Sequence, residues 1–380
     1  MDHLNPQQRQ AVETEGGHVL VIAGAGSGKT RVLTERIAYL IREKHVSPER
    51  ILAFTFTNKA AGEMRSRVES RLGRRGIPLW VGTFHATGVR ILRREAKQIG
   101  FRNDFAIFDD DDSCQLIRTC IKKQGWGLDE NPVYPFRNRI SVWKNALVPP
   151  EEAAREASEL FEEKAAAIYA AYAKGLKKCN AFDFDDLITR VVELFTAHPK
   201  TKERYSRQFL HVLVDEFQDT NTIQMVMIDA LASRHGNLFV VGDEDQSIYG
   251  WRGATVENIL QFDRVYEDTV VVKLEENYRS TNRILDAANH VIANNLGRRG
   301  KRLFSRKGEG EFVRVAFAGD EIEEANLVRE VIKGCIRDGY KRSDMAVLYR
   351  THAQSRALEN ALLRGSLPYQ IIGGVRFYER

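Results

Sequence analysis

Residues 18–30, HVLVIAGAGSGKT, decide the fold of this 380-residue chain. The apolar run Val19–Ala23 predicts a buried strand, and the glycine-rich turn behind it ends in Lys29 and Thr30, where a helix begins. Glycines allow the dihedrals with which successive N–H groups converge on one anion, and a helix N-terminus favours negative charge. The stretch therefore predicts a strand, a phosphate-binding loop and a helix, and with them an α/β fold.

The loop offers ligands for a polyphosphate and a metal ion. In the pattern G-x-x-x-x-G-K-[ST], Lys29 bridges the β- and γ-phosphates and the Thr30 hydroxyl ligates Mg²⁺. Ala23 stands where the pattern has its first glycine, and this exchange of small residues still permits close packing. A merely flexible turn is the alternative. The predicted nucleotide-binding residues of the loop are Ala23, Gly24, Ala25, Gly26, Ser27, Gly28, Lys29 and Thr30.

Composition narrows the class of protein. The length suggests about two to three domains, and 43% hydrophobic residues suffice for a sizeable core. Lys and Arg number 57 against 52 acidic residues, so the net charge of +5 includes no bulk basic tail. The four cysteines lack metal-like spacing, which favours reduced thiols over a zinc site. Without a membrane-length apolar run or a secretory signal, we expect a soluble cytoplasmic protein that does not associate with membranes.

Two further turns follow apolar runs, at residues 51–55 and 79–81, and carry aromatic, hydroxyl and polar groups. The carboxyl ends of parallel strands meet at one edge of a sheet, so both turns are expected beside the phosphate-binding loop. Aromatic rings that stack on bases, next to groups that bind phosphate, are typical of single-stranded nucleic-acid sites. The alternative places Phe56 and Phe84 in the core. The residues concerned are Phe56, Thr57, Asn58, Thr83, Phe84 and His85.

Residues 101–178 interrupt the alternation of strands and helices with helical patterns at 109–123, 134–145 and 150–178. They predict a helical insertion. Its basic residues either contact a phosphate backbone or are solvated on a charged helix face. These residues are Arg118, Lys122, Lys123, Arg137, Arg139 and Lys144. The acidic runs 109–112 and 183–186 are predicted to cap helices.

An acidic pair and a polar turn follow the next two apolar runs, 209–214 and 238–241. Asp215 is predicted to hold Mg²⁺ and Glu216 to orient and deprotonate the attacking water, with helix capping as the alternative. In the turn after residue 241, Gln246 is predicted to sense the γ-phosphate. Three residues that follow Gln246 in the sequence can contact bases, two through aromatic rings and one through a guanidinium group. They are Tyr249, Trp251 and Arg252.

Two more regions carry predictions for the nucleotide. The donor and acceptor groups of Gln8 match the edge of adenine, although a surface glutamine is usually solvated. After a strand at 270–274, Tyr278 can stack on adenine and Arg279 can bind phosphate oxygens. A second α/β unit is then predicted. Its strands are expected at 312–316, 345–349 and 369–372, and its helices at 321–338 and 353–363.

Together these stretches carry a resemblance to a known family. The motifs LNPQQRQAV, AGAGSGKT, AFTFTNKAAGEM, VGTFHATGVRIL, VDEFQDTN, VVGDEDQSIYGWRGA and LEENYRST occur in family order. The sequence resembles the superfamily 1A DNA helicases of the UvrD, Rep and PcrA type, and those of the PcrA type most. The resemblance implies two RecA-like domains with ATP between them, and movement 3′ to 5′ along single-stranded DNA. It also implies single-strand to duplex junctions as substrates and a role in DNA repair or replication.

The resemblance also assigns domains and residue roles. It implies a RecA-like domain 1A at residues 1–100 and 180–278, the insertion 1B at 101–179, and the first half of domain 2A at 279–380. Gln8 and Tyr278 fall at adenine positions and Arg31 falls beside the nucleotide. Gln246 and Arg279 fall at γ-phosphate positions. The positions implied to contact DNA are Phe56, Thr57, Asn58, Thr83, His85, Tyr249, Trp251 and Arg252.

Three departures from the family pattern matter. Phe217 replaces a common Tyr but keeps the aromatic ring, and His352 occupies a position that is often Asn. The sequence also ends before the motifs that complete domain 2A and supply an arginine from across the cleft. We therefore expect this piece to bind nucleotide, to hydrolyse it feebly and not to unwind duplex. A non-catalytic module that binds ATP and single-stranded DNA, or the helicase part of a helicase-nuclease, are the alternatives.

Overall fold

The computed structural model describes residues 3–250 and 253–372. The strands are β1 (Val19–Ala23), β2 (Ile51–Phe54), β3 (Trp80–Gly82), β4 (Ala106–Ile107), β5 (Ala181–Phe182), β6 (His211–Val214), β7 (Leu238–Gly242) and β8 (Val270–Leu274). The helices are α1 (Pro6–Glu13), α2 (Lys29–Arg42), α3 (Asn58–Leu72), α4 (Phe84–Glu95), α5 (Asp110–Lys123), α6 (Val133–Asn145), α7 (Pro150–Glu156), α8 (Leu160–Cys179), α9 (Asp186–Ala197), α10 (Pro199–Gln208), α11 (Thr222–Ala232), α12 (Glu257–Leu260), α13 (Phe262–Val265), α14 (Asn282–Ile292), α15 (Glu321–Arg337) and α16 (Ser355–Arg364).

The main sheet is parallel, with the strand order β3-β2-β6-β7-β1-β8. β1, which precedes the glycine-rich loop, pairs with β7 on one side and β8 on the other. All six strands predicted from apolar runs before residue 279 are confirmed, and so is the α/β fold. Because the strands run in one direction, the turns behind them share one edge of the sheet.

Helices cover both faces of this sheet, so β1, β2 and β7 are buried throughout. Alternate residues of β1 serve the two faces: Leu20 and Ile22 pack in one hydrophobic cluster, and Val19 and Val21 in the other. The first cluster includes residues of α4, α9 and α11, and the second includes residues of α1, α2 and α3. This double burial explains why β1 is a continuous apolar run.

The insertion has a hydrophobic cluster of its own, built by α5 to α8. The helix predicted at 150–178 is wrong in one respect, because it is two helices. The chain becomes extended at Ala157, and α7 packs back against α8. β4 pairs in parallel with β5 and joins the two ends of the insertion. The sequence gives no sign of this pair, since strands of two residues are too short to show a period.

Contacts between residues divide the chain into one compact unit up to residue 311 and a second from 312 onward. In the second unit the two predicted helices are confirmed as α15 and α16, which pack together. The strands predicted at 312–316, 345–349 and 369–372 are wrong, because none of these segments has a ladder partner among the described residues. Several of their apolar side chains are exposed to solvent, Leu348 to 94%.

None of the helices in residues 3–250 and 253–372 combines the length and the apolar composition needed to cross a bilayer.

Candidate nucleotide and nucleic-acid site

The glycine-rich loop, residues 24–28, connects β1 directly to α2. Two of its glycines have positive φ angles, +72° at Gly26 and +95° at Gly28. A Cβ atom at Gly26 would lie 2.7 Å from Asn277 Nδ2, and one at Gly28 would lie 2.8 Å from Gln8 Nε2. Both the dihedral angle and the lack of space therefore require glycine at these two positions.

The segment behind β8 supports the loop. The Tyr278 N–H donates to the Gly26 carbonyl at 2.9 Å, and Asn277 Nδ2 donates to the Ala25 carbonyl. Asn277 Oδ1 accepts from the Arg279 N–H at 2.8 Å. Tyr278 and Arg279 are thus brought to the loop, as the nucleotide-site assignment requires. Sequence reasoning missed Asn277, whose only signal is its place immediately before these two residues.

Gln8 lies beside the loop and is fully buried. Its Nε2 donates to the Ser27 carbonyl at 2.9 Å, and its Oε1 accepts from the Asn5 N–H at 3.2 Å. Asn5 is the N-cap of α1 and forms a capping box with Gln8. The alternative of a solvated glutamine is therefore wrong. Asn5 Nδ2 also donates to the Tyr278 hydroxyl at 2.9 Å, so the predicted adenine-side residues are connected.

The acidic pair follows β6 and reaches the loop through an ion pair. Lys29 Nζ lies 3.0 Å from Glu216 Oε2. Glu216 has a left-handed backbone, with φ +48° and ψ +47°, a conformation that costs free energy outside glycine and is common at functional sites. The predicted phosphate-binding lysine and the predicted base are therefore in direct contact.

Asp215 is suited to a divalent cation. Burial and then the neighbouring Glu216 carboxylate raise the pKa of its carboxyl to about 7, although Lys29 acts in the opposite direction. The backbone N–H of Glu216 donates to Asp215 Oδ1 at 3.0 Å. A carboxylate and the Thr30 hydroxyl are the hard oxygen ligands that Mg²⁺ takes, so these residues fit the metal. A bound cation would favour the ionised carboxylate.

Gln218 connects the acidic pair to the turn behind β7. Its side chain is buried, donates from Nε2 to Glu216 Oε2 at 2.9 Å, and accepts at Oε1 from the Asp243 N–H at 2.9 Å. In the same turn Gln246 Nε2 donates to the Asp243 carboxylate. Sequence reasoning missed Gln218, whose signal is a polar residue within an otherwise assigned motif. The predicted γ-phosphate sensor, Gln246, thus lies in the turn that follows β7, the strand next to β1.

The predicted nucleic-acid edge brings an aromatic pair to the surface. The ring of Phe56 is 41% exposed, and its centroid lies 4.9 Å from that of Tyr249. Thr57 and Thr83 are the N-caps of α3 and α4, each accepting a backbone N–H at 3.1 Å. Thr83 Oγ1 also donates to Asn58 Oδ1 at 3.5 Å. Two neighbouring helix N-termini, favourable to phosphate, therefore flank exposed rings.

The structure corrects the assignment of Phe84 to DNA. Its ring is buried and stacks on Phe54 with centroids 4.1 Å apart, so it belongs to the core. The core alternative was right for Phe84 and wrong for Phe56. Trp251 and Arg252 lie outside the described residues.

His85 meets an aromatic residue that sequence reasoning did not assign to the site. The exposed Phe184 packs edge-on against His85 at 6.1 Å. Burial lowers the pKa of His85. Phe184 lies within the acidic run 183–186, for which the sequence predicts helix capping and no role at the nucleic-acid site.

Among the basic residues of the insertion, Lys144 is unavailable to DNA. Its ammonium is buried, 2.7 Å from Asp183 Oδ2 and 3.0 Å from Asp186 Oδ1. Both readings made from the sequence, a phosphate contact and a solvated face, are therefore wrong for Lys144. The prediction that the acidic run 109–112 caps a helix is confirmed at Asp109, which is the N-cap of α5. Asp183 likewise accepts from the Asp186 N–H at 2.9 Å.

Comparisons with known proteins agree with this geometry. Residues 4–267 match the model of the UvrD/REP helicase N-terminal domain, and residues 272–380 match the UvrD-like helicase C-terminal domain. The ATP-dependent DNA helicase PcrA of Staphylococcus aureus strain Mu50 is 46% identical over 383 residues, covering 100% of this chain and 52% of the relative. The PcrA helicase of Staphylococcus epidermidis is 46% identical over 380 residues, with the same coverage.

The chain spans about half the length of the curated relatives it matches. The two family models together cover nearly all of its residues. With its parallel sheet, glycine-rich loop and acidic pair in the positions described above, the chain belongs to the UvrD/REP helicase family and has a RecA-like P-loop fold.

Proposed function

We propose that the protein is a Mg²⁺- and ATP-dependent DNA helicase that translocates 3′ to 5′ along single-stranded DNA. The observation that carries the proposal is the joining of two sites on one sheet edge. The Lys29–Glu216 ion pair lies at one, and the Phe56–Tyr249 ring pair, with Phe56 exposed, lies at the other. Relatives that cover the whole chain are named ATP-dependent DNA helicases.

The phosphate-binding loop supplies the nucleotide side of the reaction. Its N–H groups and Lys29 bind the triphosphate, and Thr30 and Asp215 hold Mg²⁺. When bound, the metal ion neutralises charge on the phosphate oxygens. A triphosphate in the loop competes with Glu216 for the Lys29 ammonium, which lies 3.0 Å from that carboxylate. Glu216 released from Lys29 can accept a proton from the attacking water.

Further residues complete this nucleotide site. Gln8 and Tyr278 take the adenine side, a role that the hydrogen bonds connecting Asn5, Gln8 and Tyr278 support, and Arg31 lies beside the nucleotide. Gln246 and Arg279 contact the γ-phosphate and report whether it is present.

The other half of the edge holds the strand. Phe56 and Tyr249 stack on bases, and the capped N-termini of α3 and α4 attract phosphates. The remaining contacts come from Asn58, His85, Trp251 and Arg252. Gln218 and the turn that carries Gln246 and Tyr249 connect the γ-phosphate to the bases. ATP hydrolysis can therefore move bases past the rings.

The domain assignment belongs to the same proposal. Residues 1–100 and 180–278 form domain 1A, residues 101–179 form domain 1B, and residues from 279 onward begin domain 2A. The separate hydrophobic cluster of the insertion supports its treatment as a subdomain. The substrates are single-stranded DNA and its junctions with duplex, in cytoplasmic DNA repair or replication.

Phosphate release with and without oligothymidine tests the proposal in the complete gene product. We expect the DNA to stimulate ATP hydrolysis, and Lys29→Ala and Glu216→Gln to abolish the stimulated rate. Lys29→Ala should also weaken nucleotide binding, whereas Glu216→Gln should retain it because the loop stays intact. Binding of both ligands without turnover would instead favour a non-catalytic module. Equal nucleotide affinity in the wild type and Lys29→Ala would contradict the site itself.

A further inference from the structure

A segment behind α14, residues 298–303, contacts two of the turns that build the nucleotide site. Arg298 and Lys301 form ion pairs with the turn after β7. A Cβ at Gly24 in the phosphate-binding loop would collide with the Leu303 side chain, so Leu303 packs closely against that loop. The sequence motifs assign no role to this segment. We call it the strap.

Lys301 is the centre of the strap. Its side chain is 2% exposed, and its Nζ lies 2.6 Å from Asp243 Oδ1, 3.1 Å from Glu244 Oε2 and 2.7 Å from Asp245 Oδ2. Arg298 adds a two-pronged contact to Asp245, with Nε donating at 2.9 Å and Nη2 at 2.6 Å. Burial disfavours an ammonium, but the carboxylates raise the pKa of Lys301 and keep it charged. Two cations thus hold three consecutive carboxylates.

The Asp243 carboxylate connects Lys301 to Gln246. One oxygen of the Asp243 carboxylate accepts from Lys301, and the other accepts from Gln246 Nε2. On the backbone side, the Asp243 N–H donates to Gln218, which also holds Glu216. The position of the Gln246 amide therefore depends on the position of Lys301, through one shared carboxylate.

We propose that Lys301 is a positioning residue for ATP hydrolysis, which fixes the acidic turn so that the Gln246 amide faces the γ-phosphate. The inference rests on the proposed function, because it takes Gln246 as the γ-phosphate sensor. Removing the ammonium leaves three carboxylates, two of them buried, with one cation, and such an arrangement relaxes by taking in water or separating the charges. The turn then moves, and Gln246 moves with it. The phosphate-binding loop keeps Lys29 and its N–H groups, so nucleotide still binds.

The test compares Lys301→Met with Arg302→Met in the complete gene product. Arg302 is the next residue of the strap, but its side chain is 81% exposed and its nearest ion-pair partner, Asp286, is 3.9 Å away. Three quantities are measured: kcat of the ATPase stimulated by oligothymidine, the Kd of a non-hydrolysable ATP analogue, and the Tm. A residue that only stabilises the fold would change all three together.

For Lys301→Met we expect kcat to fall about tenfold to a hundredfold, because small displacements of a group that contacts the transferred phosphate have effects of this size. The Kd of the analogue should stay within about twofold of wild type. Lys301→Arg should recover part of the lost kcat, and Arg302→Met should match the wild type. Wild-type kcat in Lys301→Met would overturn the proposal. A loss of analogue affinity in step with kcat would overturn it too.

If Lys301→Met does not fold, Arg298→Met tests the proposal instead. It removes the contact to Asp245 and a hydrogen bond to the Lys301 carbonyl but keeps the Lys301 ammonium, so kcat should fall by less than in Lys301→Met, again at unchanged analogue affinity. Unchanged kcat in a folded Arg298→Met would overturn the proposal in that case. Failure of the proposed function would give a different result. In that case DNA would not stimulate ATP hydrolysis by the wild type, and Glu216→Gln would have no stimulated rate to remove.

Discussion

In the unit up to residue 311, each apolar run that predicts a strand has a neighbouring strand, whereas none of the three runs in residues 312–372 has one. The runs themselves look alike in the sequence. β1 is buried between β7 and β8, but Leu348 in the second unit is 94% exposed. An apolar run thus indicates only the capacity to form a strand. The partner that satisfies its backbone decides whether the strand forms.

Hydrogen exchange of the 380-residue chain gives the largest expected contrast between the two units. Amides of β1 should exchange about 10³-fold or more slowly than those of residues 312–316 and 345–349, because β1 has ladder hydrogen bonds on both sides and these two segments have none. The helices α15 and α16 provide an internal reference of intermediate protection. Protection of residues 345–349 equal to that of β1 would show that the second unit does form a sheet.

A pair of glycines in helices sharpens the contrast at the level of packing. A Cβ at Gly88 in α4 would collide with the Leu187 carbonyl oxygen, whereas one at Gly334 in α15 would meet nothing within 4 Å. We expect Gly88→Ala to lower the free energy of unfolding by about 3 kcal/mol through overpacking. Gly334→Ala should raise it by about 0.5–1 kcal/mol through helix propensity. Urea denaturation of both variants is the measurement, and equal effects would contradict the packing described here.

Titration of a histidine in β6 gives a smaller effect, confined to the first unit. The pKa of His211 is lowered to about 4. Burial is the largest cause, and the nearby charges of Arg36 and His235 act in the same direction. The folded state therefore prefers the neutral ring, so its contribution is present above the unfolded pKa of about 6.5 and is lost as the pH falls toward 4.

With the partial exposure of the ring taken into account, the wild type should lose about 2 kcal/mol more than His211→Gln between pH 7 and pH 4. Urea unfolding at a series of pH values measures this difference. Parallel pH profiles for the two proteins would mean that His211 is protonated as readily in the fold as in the unfolded chain.

The sequence predicts the features that depend on neighbours along the chain. The loop, the acidic pair and six strands of the main sheet all follow from local patterns. Sequence patterns do not predict features that depend on contacts between residues far apart in the chain. Phe56 and Phe84 follow strands in similar sequence contexts. Phe84 stacks on Phe54 and is buried, whereas Phe56 is exposed to solvent next to Tyr249. No periodicity distinguishes two rings whose partners lie elsewhere in the chain.

The supporting residues of the site escape sequence reasoning for the same reason. Asn277 holds the phosphate-binding loop from 252 positions away, and Lys301 reaches the acidic turn from 56 positions away. Each is a common polar residue whose role appears only when the sheet brings its partner close. The motif residues are recognisable because their chemistry needs a fixed local spacing, which these supporting contacts do not.

The most direct test of the central claim, that one sheet edge joins ATP turnover to a DNA strand, is the ATPase of Phe56→Ala as a function of oligothymidine concentration. Loss of one stacking ring should raise the DNA concentration for half-maximal stimulation about tenfold and leave turnover without DNA unchanged. Phe84→Leu is the matched control for a buried ring, and its DNA dependence should equal that of the wild type. Unaltered DNA dependence in Phe56→Ala would contradict the claim.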